Sequence, residues 1–126
     1  MRRLGLALAG GGLLAAACLG TAARETATLP ALQNAWQSLR EQCAREVVAS
    51  GEVAAAGDIM AADDALASGD ATRIAAVNWT RLEALAEGDV TRRAAAGDLS
   101  PGAAGLLSQR VSLFREARIA FVTVTP

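Results

Sequence analysis

Arg110 and a group of four aspartates are the residues whose types could do chemistry in this chain. On a helical wheel Arg110 falls among Leu106, Leu113, Phe114 and Ala117, inside an apolar arc. An arginine so placed must reach water with its head or find a carboxylate. Asp63 and Asp64 flank the apolar stripe of an earlier segment and are the expected partners. The expectation is a structural ion pair that fixes helix register, and the alternative is a site for a ligand carboxylate or phosphate. Asp58, Asp63, Asp64 and Asp70 form a local acidic group. A cation site needs oxygens converging at about 2.3–2.6 Å, and no EF-hand or other metal spacing occurs here. The aspartates therefore read as solvated helix acids and caps, and no metal or cofactor is expected. The chain has no histidine, so it lacks the usual general base, proton switch and metal ligand. Ser100, in Gly97-Asp98-Leu99-Ser100-Pro101-Gly102, lacks the spacing of a nucleophile elbow. The expectation is that the protein is not an enzyme.

The elements that must position these residues are helices. Thr28-Leu29-Pro30 pairs a capping hydroxyl with a proline in the first turn. After it Leu29, Leu32, Trp36, Leu39, Cys43 and Val47 recur at spacings of 3, 4, 3, 4 and 4, one narrow stripe over roughly 30 Å of helix. Ser50-Gly51 or Gly57-Asp58 ends it. A second helix runs to about Ala67, with Val53, Met60 and Ala67 aligned and Ile59 and Leu66 alongside. Gly69-Asp70 is a stop and a new cap, and Ala71 to Val77 reads as a short helix. Asn78 caps a longer one carrying Trp79, Leu82, Leu85, Ala86 and Val90. Gly97 ends that helix, and Ser100-Pro101 opens the last, which carries Leu106, Leu107, Val111, Leu113, Phe114, Ala117 and Phe121. Val122 to Pro126 reads as a frayed tail. Gly-Asp recurs at 57–58, 69–70, 88–89 and 97–98. The intervals are irregular, so the pair is punctuation and not a repeat. No strand alternates convincingly. The fold expected is all-α, a small antiparallel bundle of three to four helices. Trp36, Trp79 and Cys43 sit on stripe positions and are its expected core anchors.

Ahead of that domain, Met1-Arg2-Arg3 is a positive start, Leu4 to Ala17 is uncharged and apolar, and Ala15-Ala16-Ala17 leads to Cys18. That order is the layout of an export signal. Ending on a cysteine, it resembles the signal of bacterial lipoproteins. The position three before the cysteine, usually Leu in that group, is Ala15. The resemblance covers the signal alone and implies cleavage after Ala17, lipidation of Cys18 and a membrane anchor. Leu19 in place of Asp after the cysteine implies the outer membrane, periplasmic face. Other outcomes are a cut after Thr21-Ala22-Ala23, leaving a soluble periplasmic chain, and an uncut segment, since Leu4 to Ala23 is long enough to span a bilayer. The resulting division is 1–17 signal peptide, 18–27 tether, 28–121 helical bundle and 122–126 tail.

Removal of the first 17 of 126 residues would leave 109, enough for one modest core. All basic charge is arginine, and lysine and tyrosine are absent. There is no basic excess to suggest nucleic acid. Charge is unevenly placed: Arg24 to Asp70 holds three Arg and eight acids, net −5, whereas Ala71 to Pro126 holds seven Arg and five acids, net +2. The function expected is an exported, lipid-anchored envelope protein that works by contact as a structural or adaptor module, with a protein partner in the envelope. The alternative is a soluble periplasmic protein that binds a small ligand. An adaptor should present an exposed apolar or acidic patch, and a binding protein a pocket lined by Arg110 and the tryptophans.

Overall fold

A computed structural model describes residues 28–124 of the chain. The segments 1–17 and 18–27, including Cys18, lie outside the described residues. The chain folds as an all-α bundle of four long helices and one short one: α1 Leu29–Ser50, α2 Ala55–Ser68, α3 Ala71–Ala76, α4 Trp79–Ala95 and α5 Pro101–Val124.

Local chemistry sets most of the boundaries. The Thr28 Oγ1 accepts from the Ala31 N–H at 3.3 Å, and Pro30 occupies the first turn of α1. Asp70, Asn78 and Ser100 accept in the same way from Thr72, Arg81 and Ala103 at 2.9, 3.3 and 3.1 Å. α1 stops at Gly51 and α2 at Gly69, both left-handed at φ 77° and 71°. At Gly69 the constraint is double, because a Cβ there would also lie 2.9 Å from Leu29 Cδ2. Two Gly-Asp pairs do not punctuate. Gly57-Asp58 lies in the first turn of α2, and Gly88-Asp89 sits within α4. Gly88 is there for close approach: an added Cβ would meet the Glu46 carboxylate at 3.3 Å. α5 continues to Val124, past the point where spacing predicts a tail, and Val122 packs against the core.

Successive long helices run antiparallel, so α1 and α4 point the same way. Trp36 meets Trp79 edge to face, Cys43 bonds Leu82, and Glu46 bonds Arg92, the numbers rising together. α1 and α4 form the central pair. α2 covers one side of it and α5 the other, with no substantial packing of α2 on α5. The core joins Leu32, Trp36, Leu39 and Cys43 of α1 to Ile59, Ala62 and Leu66 of α2, Trp79, Leu82 and Leu85 of α4, and Val111, Phe114 and Phe121 of α5. Trp36, Trp79 and Phe114 meet at its centre with ring centroids 5.3–6.3 Å apart.

α2 turns the opposite face inward from the one headed by Val53 and Met60. Ala55, Ile59, Ala62, Ala65 and Leu66 are buried, while Val53 and Met60 are 77% and 64% exposed. Alanine on every side of this helix leaves its apolar moment weak, so neighbours select the face.

Candidate functional site

Between α1 and α2 lies an open groove of about 390 Å³ lined by Gln33, Trp36, Gln37, Arg40, Asp63 and Leu66, with Ala67 at its edge. Asp63 organises it. Its Oδ1 accepts the Trp36 indole N–H at 2.7 Å, and its two oxygens share the Arg40 Nε–H at 3.1 and 3.0 Å. Gln33 donates from Nε2 to the Leu66 carbonyl at 2.8 Å. The two Nη groups of Arg40 make no hydrogen bond among the described residues, and the side chain is 43% exposed. This arrangement can offer a polar small molecule a fork of donors beside amide groups, on a floor of Trp36 and Leu66.

Asp63 therefore pairs with Arg40 and not with Arg110. Arg110 and Asp64 are exposed, and among the described residues neither joins an ion pair. The wheel position of Arg110 is inside the arc, but the first half of α5 turns another side toward the bundle. Ala103, Ala104, Leu107 and Ser108 are half-buried there, and full burial starts at Val111. α2 and α5 also occupy opposite flanks, which separates Arg110 from both aspartates. Trp36, Trp79 and Cys43 are all buried.

Two buried acids on α4 lie outside the sequence expectation. Glu83 accepts from Arg115 Nε at 2.8 Å and Arg118 Nη2 at 2.9 Å, and the Arg118 guanidinium lies 5.2 Å over the Trp79 ring. The hydrogen bond to Glu83, with its charge, holds the Arg115 guanidinium above its ordinary value. Asp89 is fully buried and accepts from Arg92 Nη2 at 2.7 Å and Arg93 Nη1 at 3.3 Å. Arg92 Nε also donates to Glu46 at 3.0 Å. A signal was present: on a wheel Glu83 falls beside Trp79 and Val90, and Asp89 between Leu82 and Leu85, as deep in the apolar arc as Arg110 is in its own.

The Cys43 thiol donates to the Leu82 carbonyl at 3.1 Å. Burial, with the nearby Asp89 charge adding to it, pushes its pKa up to about 12, against a smaller opposing hydrogen bond at Ala86. That is an inert thiol. Gln42 is buried with neither amide atom partnered among the described residues. No group of three or more His, Cys, Asp or Glu side chains converges among those residues, and no helix there is long and apolar enough to cross a membrane.

Comparison with known proteins finds no relative: no family model, no curated protein and no solved structure matches the chain.

Proposed function

We propose that this protein is an exported, lipid-anchored envelope module that works by contact, as a structural or adaptor element. The observation that carries the anchor is the order of residues 1–18: two arginines, an uncharged apolar run, three alanines and Cys18. The contact part is supported by the apolar side chains that the bundle leaves outside. Val48, Val53 and Met60 are 64–84% exposed around α2, and Leu106, Leu113 and Ile119 are 46–59% exposed on α5. Buried charge in the interior is taken up in structural pairs, which suits a scaffold. Intact mass and N-terminal analysis of the membrane fraction tests the anchor. The expected result is a chain that begins at a triacylated Cys18 and disappears from membranes in a Cys18→Ser variant. A chain that begins near Arg24 in the aqueous fraction overturns it.

The second reading, a periplasmic protein that binds a small ligand, is favoured by the α1/α2 groove. Its guanidinium is Arg40 and not Arg110. Titration of small polar acids and amides, read by tryptophan fluorescence and compared in Arg40→Ala, tests it. Saturable quenching lost in the variant supports that reading, and identical curves remove it.

A further inference from the structure

The α1/α2 groove is charged at one end and neutral along the rest of its length. Arg40 and Asp63 stand at the charged end, and Gln37, Gln33 and Ala67 line the remainder above Trp36 and Leu66. Asp63 fixes how Arg40 is presented. It takes Nε with both oxygens, at 3.0 and 3.1 Å, and is itself held by the Trp36 indole N–H. The other edge of the guanidinium, Nη1 with Nη2, makes no hydrogen bond among the described residues. The two parallel N–H groups of that edge match the two oxygens of a carboxylate.

Charge restricts what can sit there. Asp63 already balances Arg40, and α1 and α2 together hold two arginines and five acids. A single carboxylate gains two charge-assisted bonds against that acidic background. A phosphate dianion meets about twice the repulsion for the same fork.

The neutral stretch suits amides. Gln37 and Gln33 stand three and seven residues before Arg40, roughly 4.5 and 10.5 Å along the helix. An extended peptide advances about 3.3–3.6 Å per residue, so this length takes about three residues. A glutamine amide offers both a donor group and an acceptor, the complement of a peptide group. Gln33 spends Nε2 on the Leu66 carbonyl at 2.8 Å, which leaves its oxygen to accept. Gln37 is exposed and makes no hydrogen bond among the described residues. Leu66 and Ala67 opposite carry no charge and suit small apolar side chains.

We infer, resting on the second reading above, that the groove holds the C-terminal end of an extended peptide with small, uncharged side chains. Its carboxylate sits on the Nη edge of Arg40, and its last peptide groups run along Gln37 and Gln33.

The test is calorimetric titration of the full chain, in mild detergent, with N-acetyl-trialanine, its C-terminal amide, acetate and inorganic phosphate, each to about 10 mM, since an open groove of exposed donors binds weakly. The free acid should bind one to one, about tenfold tighter than the amide, through the charge-assisted bonds to Arg40. Acetate should bind weakly, because it leaves the glutamines unused. Arg40→Lys keeps a charge beside Asp63 but loses the fork, so it should abolish the preference for acid over amide at an unchanged melting temperature. Gln37→Leu, at an exposed position, should weaken the peptide severalfold and leave acetate as it was. Equal binding of acid and amide, acetate as tight as the peptide, or wild-type behaviour of either variant would overturn the inference. Phosphate bound at Arg40 without the peptide would overturn it and leave a ligand-binding groove standing. No heat with any of the four probes would remove both.

Discussion

Glu83 and Asp89 lie six residues apart on α4, and both are buried, yet they are neutralised in different ways. Glu83 reaches across to α5, where Arg115 and Arg118 hold its two oxygens. Asp89 is satisfied within its own helix by Arg92 and Arg93, three and four residues on, and Arg92 ties the group to Glu46 of α1. The first is a tertiary bond that exists when α5 is docked. The second is largely local, available to α4 as soon as the helix forms. Removal of one acid should therefore loosen α5, whereas removal of the other should leave its arginines free to turn to water.

Glu83→Ala is the harshest way to break that contrast. It leaves Arg118, whose side chain is 13% exposed, without its carboxylate, and loss of one member of a buried pair costs about 3–5 kcal/mol. Thermal unfolding should show it, with exchange of α5 amides accelerated ahead of those of α1. Asp89→Ala should cost less, about 1–3 kcal/mol, because Arg92 and Arg93 are 42% and 23% exposed and Arg92 keeps Glu46. If Asp89→Ala proves the more damaging, local pairing is not what protects that acid.

Alkaline unfolding sharpens the comparison on the Asp89 side. The unfolded Cys43 thiol ionises near 9, whereas the folded one keeps its proton to about 12. Stability is thus untouched below pH 9 and falls as pH rises from 9 to 12, by about 1.4 kcal/mol per unit. With lysine and tyrosine absent, a Cys18→Ser chain has no other side chain with an ordinary pKa in that window. Cys43→Ala should abolish the slope. Asp89→Ala should shorten the window from above while leaving most of it, since burial is the larger cause. The smallest effect belongs to Arg110→Met, which should leave the melting temperature of dilute protein unchanged. A clear fall would mean that Arg110 supports the monomer after all.

The starts of α1, α3, α4 and α5 were legible in the sequence because capping is local, whereas the start of α2, which has no side-chain cap, and the end of α5 were not. Thr28, Asp70, Asn78 and Ser100 bond backbone within three residues, and nothing distant can overrule them. The stripe of α1 was legible for a related reason: large apolar side chains at constant spacing leave one face to bury. α2 was not, because alanine is apolar on every side and Ile59 with Leu66 competes against Val53 with Met60. Charge placement was the hardest to read. Arg110, Glu83 and Asp89 look alike on a wheel, and what separates them is whether another helix arrives at that height. The groove was half visible: Asp63 was singled out, but Arg40 lies off the α1 stripe and gave no sign of being its partner.

The meeting of Trp36 and Trp79, 5.7 Å apart and 85° between ring planes, makes the molecule its own optical gauge. Two identical indoles this close, with no tyrosine to mask them, should couple their excited states and split the ultraviolet circular dichroism into bands of opposite sign. Because one indole rides on α1 and the other on α4, that couplet reports whether the central pair is assembled, independently of helix content. A denatured, partly helical or repacked chain would lose it first, and no label is needed to see it go.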